Sequence, residues 1–353
     1  MRCQRRSAGR VSIVTEVAAE QCPGDRELII DTHAHFVPPG LLADVKAQKR
    51  LFPSLKTKEE KGSLCFSFAG AEMTRPVMPP LSDVVKRREW LASQDIDRQV
   101  VGGWLDSFGY ELPADEGADW SRFYNEHLLA GVKALPALVP LATVPMQSGK
   151  HAAAVLEEAL AAGFHGAMIG TQPKGLGGVL DDPDLTPFWE VAHAKKATLF
   201  IHPMYGVDDD RLRAYGLVNA LGRVTDTSIA VARLMHSGHL LKYHDATLVL
   251  SHGGAALPMV LGRLAKAHSA HPAGPADPTA SFKRLYFDTV VFDVNALRLV
   301  CAMAGVDKVV LGTDYPFPIG DFEPMNVVNA LILSDEERAG IAGNTAMRLF
   351  NIA

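Results

Sequence analysis

Short apolar runs alternate with helix-like stretches along most of the chain from residue 27 onward. Runs rich in β-branched residues, separated by helical patterns, are typical of βα units around a parallel sheet. Eight such units predict an α/β fold of the (β/α)₈ TIM-barrel type. The predicted strands lie near residues 28–36, 99–104, 137–144, 166–170, 197–203, 246–254, 284–292 and 308–316.

The helical pattern is clearest in HAAAVLEEALAAG, where apolar residues recur every three or four positions and Gly163 is a plausible stop. Two segments exceed a minimal barrel: 37–97, an insertion after the first strand, and 208–245, a helical insertion after the fifth. Both follow strand carboxyl ends, which form the catalytic face of a barrel. They are candidates for a substrate lid and a subunit contact, with an inert surface insertion as the alternative.

The chain has 353 residues and 48% hydrophobic residues, which is ordinary for a folded protein. We expect one barrel domain over 27–353, preceded by an N-terminal extension over 1–26 without a continuous apolar stretch of signal-peptide length. The net charge of −5 provides no basic field for nucleic acid or anionic lipid. The expected partner is therefore a small molecule. No apolar run reaches the length needed to span a bilayer, so we expect no integral membrane role.

The cysteines contain no CxxC pair, which argues against a cysteine-based zinc site and favours a reducing compartment. We therefore expect a cytoplasmic protein. The four residues are Cys3, Cys22, Cys65 and Cys301.

Two histidines, His33 and His35, fall on one face of the first predicted strand because side chains alternate along a strand. Polar rings at the end of an apolar strand are costly to bury without partners. Metal ligation removes that cost. Two hydrogen-bonded structural histidines are the alternative.

Further polar residues end other apolar runs, namely His202, His252 and Asp314. Each alone could be a hydrogen-bonded core histidine or a capping aspartate. Because the carboxyl ends of barrel strands converge on one mouth, together they indicate a single site. Asp288, at the end of the seventh strand, either supports that site or is a polar plug. Imidazole and carboxylate ligands suit Zn²⁺, Mn²⁺ or Fe²⁺, and an incomplete ligand shell indicates a catalytic metal.

The motifs DTHAHF, FIHP, SHGG and GTDYPFPIG resemble the decarboxylase branch of the amidohydrolase superfamily, from about Asp31 to GNTAMRLF. The resemblance implies one divalent metal, with zinc expected and manganese as the alternative. It also implies that His252 acts as acid or base and that Asp314 shares this role. The strand-four lysine of two-metal relatives is missing from GAMIGTQ, which favours one metal. The implied metal ligands are His33, His35, His202 and Asp314.

The chain departs from this family at two substrate-facing positions. Ser67 stands where a decarboxylase of this branch has an arginine, and Met204 followed by Tyr205 stands where it has a tryptophan. The resemblance also implies that Arg263 reaches the substrate of the partner subunit in a homodimer, an intrasubunit salt bridge or a solvated residue being the alternative. Tyr205 and Phe317 are further candidates for substrate contact, although core packing also explains Phe317.

The resemblance implies a carboxy-lyase, a metal-dependent non-oxidative decarboxylase of a small unsaturated or aromatic carboxylic acid. Decarboxylation leaves an electron pair on carbon, which a metal can stabilise and which His252 can protonate. The alternative is a metal-dependent hydrolase of a lactone, ester or amide, because the same groups would serve a carbonyl. A non-catalytic binding barrel is the third possibility.

Overall fold

The computed structural model describes residues 27–272 and 274–353, and the predicted extension over 1–26 lies outside them. In this part of the chain, eight strands belong to the barrel and two form a separate hairpin. The strands are β1 (Ile30–His35), β2 (Leu55–Glu60), β3 (Ser63–Phe68), β4 (Arg98–Gly102), β5 (Leu138–Pro140), β6 (Ala167–Gly170), β7 (Thr198–His202), β8 (Thr247–Leu250), β9 (Leu285–Asp288) and β10 (Val309–Val310).

Helices surround the barrel strands. Those in the described residues are α1 (Pro39–Lys46), α2 (Val84–Ser93), α3 (Ala114–Ala134), α4 (Gly149–Ala161), α5 (Thr186–Ala194), α6 (Arg223–His236), α7 (His239–Lys242), α8 (Leu257–Ala270), α9 (Pro278–Phe282), α10 (Val294–Ala304), α11 (Met325–Asn329), α12 (Asp335–Ala339) and α13 (Thr345–Phe350). None of these described helices has the length and apolar composition of a membrane span.

The eight parallel strands form two sheets whose edges meet on both sides. One sheet has the order β1-β4-β5, and the other has the order β10-β9-β8-β7-β6. Single parallel bridges join them, between Ala34 and Tyr315 on one side and between Ala142 and Ala167 on the other. All eight predicted strands are present, each shorter than its apolar run. The predicted α/β barrel topology is therefore confirmed.

Both faces of the barrel strands are covered, which explains their nearly continuous apolar sequences. Every residue of β7 is buried, from Thr198 to His202. Helix α4 matches the predicted helix and buries a stripe of alanine, valine and leucine. Gly163 follows this helix with a φ of +100°, a backbone conformation that favours glycine.

Residues 37–97 contain α1, the β2–β3 hairpin and α2. The hairpin is not among the predicted strands, because five of the six β2 residues are exposed and no apolar alternation marks them. Strand β3 is mostly buried and contributes Phe66 to a second apolar cluster that includes Trp120 and Phe123 of α3. This cluster attaches the hairpin to the barrel beside the carboxyl end of β1.

Residues between β7 and β8 contain short helical turns as well as α6 and α7. A π-helical turn over Val218–Gly222 leads directly into α6. Such turns are frequent near functional sites, because the extra residue changes the direction of the following side chains. Helix α6 buries Ala230, Val231 and Leu234, so this segment is packed on the barrel rather than projecting from it.

Candidate metal centre

Side chains from three different βα junctions meet at the carboxyl ends of the strands. His33 and His35 belong to β1, His202 ends β7, and Asp314 follows β10. All four are buried, and one ligand atom of each lies within 4.8 Å of the others. Asp314 Oδ1 lies 3.3 Å from His33 Nε2, 3.1 Å from His35 Nε2 and 3.9 Å from His202 Nε2. The structure thus brings together the four residues expected to bind the metal.

Hydrogen bonds on the opposite ring nitrogen orient each histidine. His35 Nδ1 lies 3.0 Å from the Gly103 carbonyl, and His202 Nδ1 lies 2.8 Å from the Pro203 carbonyl. His33 Nδ1 lies 2.6 Å from Asp288 Oδ2. Because carbonyl and carboxylate oxygens accept, these Nδ1 atoms donate, and in a neutral ring Nε2 then keeps its lone pair.

The bare Nε2 atoms point at one another and at the Asp314 carboxylate, which also only accepts. Among the described residues, His33 Nε2 and His202 Nε2 are buried without any hydrogen-bond partner. Buried polar atoms without partners are costly. A divalent cation accepts lone pairs from all four groups, so the residues fit a metal site.

The electrostatics of the centre also favour a cation. Burial would raise the pKa of Asp314, but the imidazoles, His33 foremost, hold it well below its ordinary value. Burial opposes a charge on His33, yet the carboxylates of Asp314 and Asp288 outweigh this and raise its pKa to about 10. Burial lowers the pKa of His35 and of His202. The ionised Asp314 therefore stabilises a positive charge in the centre. This charge is either a proton on His33 or a metal ion that takes the place of the proton.

His252 stands beside these four residues. Its Nε2 lies 3.5 Å from Asp314 Oδ2, and its side chain is 16% exposed. His252 and the two glycines after it have positive φ values of 55°, 60° and 70°. A Cβ on Gly253 would lie 2.3 Å from Val291 Cγ1, so only glycine fits this turn. The turn directs the imidazole towards the centre.

Asp288 supports the centre from the end of β9. Its carboxylate accepts hydrogen bonds from Gly253 N at 2.7 Å and Val290 N at 3.1 Å, and also contacts His33. One carboxylate therefore sets the orientation of a candidate ligand and the path of the loop that carries His252. The sequence predicted that Asp288 either supports the site or is a polar plug, and these contacts correspond to support of the site.

A second network of buried hydrogen bonds holds strand β1. The sequence did not predict two of its members, Arg87 and Gln99. Arg87 is fully buried and donates to the His35 carbonyl and to Gln99 Oε1. Gln99 in turn donates to Asp31, which also accepts from the His33 backbone N–H. Burial raises the pKa of Asp31 to about 6. Arg87 lies in the charged stretch KRRE, where nothing in the sequence distinguishes it from its exposed neighbours.

A cavity of about 600 Å³ opens onto this centre. His202, His252 and Asp314 form its polar floor, and Phe317 is part of a mainly apolar wall. The wall residues include Met78, Val224, Val290, Val291, Phe292 and Ile319. The ring of Phe317 also packs 5.0 Å from that of His35. The lining also includes Arg75, Asn219 and Arg223, so the cavity suits a small molecule with an apolar body and polar or charged groups.

Two of the substrate-binding candidates do not line this cavity. The Tyr205 hydroxyl donates a 2.5 Å hydrogen bond to Glu111 instead. Arg263 is exposed on α8 and is not among the residues that line the cavity. Ser67 is buried in the hairpin and donates to the Ala71 carbonyl. Of the three substrate-binding candidates, the cavity lining includes Phe317 alone.

Comparison with known proteins identifies the family. The amidohydrolase family model matches residues 30–352. A 2-amino-3-carboxymuconate-6-semialdehyde decarboxylase from Dictyostelium discoideum is 27% identical over 93% of this chain and 92% of its own length. The structure of a 5-carboxyvanillate decarboxylase from Sphingomonas paucimobilis superposes with a TM-score of 0.76 at 23% identity, covering 93% of this chain and 100% of that chain.

A second 5-carboxyvanillate decarboxylase, from Novosphingobium aromaticivorans, was crystallised with manganese and 4-hydroxy-3-methoxy-5-nitrobenzoic acid. It superposes with a TM-score of 0.75 at 20% identity, covering 92% of this chain and 96% of that chain. These superpositions show a shared barrel fold. Because the family model covers nearly the whole described chain, this protein belongs to the amidohydrolase family.

Proposed function

We propose that this protein is a metal-dependent, non-oxidative decarboxylase of a small unsaturated or aromatic carboxylic acid. The observation that carries the proposal is the cluster of bare Nε2 atoms around Asp314, with His252 beside it, at the floor of a mainly apolar cavity. Relatives named as decarboxylases, matching over most of the chain, support carbon–carbon cleavage rather than hydrolysis.

We propose that His33, His35, His202 and Asp314 hold one divalent cation. Zinc is our first assignment, since three imidazoles and a carboxylate suit it, and manganese, present in a neighbouring structure, is the alternative. When bound, the cation polarises a substrate oxygen and stabilises the negative charge that develops during decarboxylation.

The residues of the chain supply orientation and the proton. The bond to the carboxylate carbon breaks, CO₂ leaves, and the electron pair stays on the substrate carbon. Protonated His252 donates its Nε2 proton to that carbon. Asp314 Oδ2 lies 3.5 Å from this nitrogen and is proposed to share the acid–base role. The apolar wall with Phe317 holds the ring or diene and excludes water.

A substrate panel tests this function. Protein of measured metal content is incubated with carboxylated phenols and muconate-type acids while CO₂ is recorded, and with lactones, esters and amides in parallel. We expect CO₂ in proportion to the acid consumed, without oxygen uptake. Hydrolysis of an ester, lactone or amide without CO₂ from any acid would instead identify a hydrolase.

We also propose that residues 27–353 form one catalytic unit in the cytoplasm, with 1–26 as an extension. The family match over 30–352 supports this unit. Cys65 and Cys301 are free thiols, which is compatible with a reducing compartment. The segments 37–97 and 208–245 are proposed to form the substrate lid and the subunit contact.

The proposed functional unit is a homodimer in which Arg263 grips the substrate carboxylate of the partner subunit. Its exposed position on α8 supports an outward role, and a guanidinium binds a carboxylate through paired hydrogen bonds.

Mixing inactive Arg263→Ala and His252→Ala proteins should restore about a quarter of the wild-type activity, because half of the dimers then contain one intact site. The Lys266→Ala variant of the same helix face should be active alone. No recovery despite proven subunit exchange would refute the shared site.

A further inference from the structure

A second cluster of metal-ligating side chains lies at the opposite end of the barrel from the candidate metal centre. It consists of His193, near the end of α5, and of His244 and Asp245, which lie between α7 and β8. One ligand atom of each lies within 4.8 Å of the others. This amino-end cluster precedes β7 and β8, whereas His202 and His252 lie at the carboxyl ends of the same two strands.

Direct contacts hold the three side chains of the amino-end cluster together. The ring centroids of His193 and His244 are 4.8 Å apart, and the rings are inclined at 73°. His193 Nδ1 lies 3.1 Å from the Asp245 backbone N and 3.9 Å from Asp245 Oδ2. His244 Nδ1 lies 3.1 Å from Asp245 Oδ1. Two imidazoles and a carboxylate therefore converge from two separate segments of the chain.

The hydrogen bonds leave a lone pair on each imidazole. The Asp245 N–H donates to His193 Nδ1, so this nitrogen holds its lone pair on the side of the carboxylate. His244 Nδ1 donates to Asp245, which leaves the lone pair of the neutral ring on Nε2. A cation at His193 Nδ1 replaces an exposed hydrogen bond, and water can satisfy the released N–H.

The amino-end cluster is open to solvent. The side chains of His193, His244 and Asp245 are 32%, 54% and 43% exposed, so an ion can enter without any rearrangement of the barrel. The guanidinium of Arg284 donates to the His244 carbonyl, and its positive charge opposes a cation nearby. We therefore expect weaker metal binding here than at the buried centre.

We propose that His193, His244 and Asp245 form a second metal site, which binds Cu²⁺, Ni²⁺ or Zn²⁺ from solution. Imidazole ligands favour these late first-row ions, whereas Mg²⁺ and Ca²⁺ prefer shells of oxygen atoms. The amino-terminal face of a barrel contributes to stability rather than to catalysis. The inference goes beyond the proposed decarboxylase function and does not depend on it.

The position of the cluster explains what a bound ion stabilises. Strands β7 and β8 are paired in parallel from Thr198 and Thr247 onward, and the Thr247 N–H donates to the Ala197 carbonyl just before this pairing. The ion links the end of α5 to the loop before β8. It thereby ties together, at their amino ends, the strands that lead to His202 and His252.

Calorimetry with Ni²⁺ tests the site on tag-free protein that retains its resident metal at the centre. Dialysis against a weak chelator first empties the exposed cluster, so counts of the central ion are unaffected by it. The wild type should then bind about one Ni²⁺ per chain with a micromolar Kd. Elemental analysis of both metals in the same sample distinguishes this binding from exchange at the centre, because the resident metal should stay bound.

Variants identify the ligands. In His193→Ala and in His244→Ala, Kd for Ni²⁺ should rise by at least about 10-fold, because even residues behind a metal ligand contribute that much to affinity. Asp245→Asn should weaken binding several-fold, because a neutral amide oxygen is a poorer ligand than a carboxylate. His151→Ala is the matched control, since His151 Nε2 also lies 2.9 Å from an aspartate oxygen, that of Asp115, in a pair with a single imidazole. It should bind Ni²⁺ as the wild type does.

Thermal unfolding gives an independent readout. Excess Ni²⁺ should raise the Tm of the wild type and of His151→Ala by about 2–4 °C and leave that of His193→Ala unchanged. Absence of a second ion in the wild type, or an unchanged Kd in both histidine variants of the cluster, would overturn the proposal. An equal loss of binding in His151→Ala would overturn it as well, because isolated histidine–aspartate pairs would then account for the binding.

Discussion

Replacement of Asp314 by Asn is expected to give a folded protein with far less than one metal equivalent and almost no activity. Asp314 Oδ1 lies within 3.9 Å of Nε2 of all three candidate histidine ligands. The neutral amide loses the charge that attracts the cation, and turnover should fall by about 10³-fold or more, since metal stabilisation of charge contributes several kcal/mol. Elemental analysis of the wild type should give about one ion per chain.

The control is Asp307→Asn. The Asp307 side chain is 77% exposed and lies near β10, the strand that precedes Asp314. It should keep wild-type metal content and turnover. Retention of one tightly bound ion together with normal turnover in Asp314→Asn would contradict the assigned centre, and two ions per wild-type chain would contradict the one-metal assignment.

The His252→Ala variant should separate catalysis from metal binding. Its imidazole reaches Asp314 Oδ2 but lies outside the group of four mutually close ligands. We expect the metal to stay at about one ion per chain and kcat to fall by roughly 10²–10⁴-fold, the usual contribution of a general acid or base. The readouts are elemental analysis and CO₂ release on the same preparation.

His244→Ala is the matched control, since this histidine is 54% exposed at the amino end of β8. It should match the wild type in both measurements. If His252→Ala instead loses the metal and regains normal turnover when metal is supplied, His252 is a ligand and another group transfers the proton.

The barrel and the centre's main residues could be predicted from sequence because each depends on a local pattern. A strand covered on both faces must be apolar throughout, so eight apolar runs revealed eight strands. A polar residue directly after such a run must lie at the strand's carboxyl end. Parallel barrel strands point their carboxyl ends to the same mouth, which placed His202 and Asp314 near His33 without knowledge of any contact.

Other features could not be predicted from the sequence, because they depend on contacts between segments that are distant along the chain. The β2–β3 hairpin has one exposed strand and therefore no alternating pattern. Arg87 of α2 is buried where it donates hydrogen bonds to the His35 carbonyl of β1 and to Gln99 of the neighbouring strand β4. Tyr205 follows His202 closely in the chain, yet its hydroxyl bonds to Glu111, since the path of the loop after β7 decides its direction.

The sequence by itself determined which segments form the buried strands. It also determined that His33 and His35 share one strand face and that polar residues after other strands lie at the mouth of the barrel, because the side-chain period and the position along a strand follow from backbone geometry. Only the tertiary structure decided which imidazole nitrogen faces the centre, since Asp288 and two carbonyls select it. It likewise decided that Arg75 and Arg223 share Asp106 at one cavity wall. Arg75 comes from the segment between β3 and α2, and Arg223 from the start of α6. Packing, rather than any repeating pattern, brings these segments together.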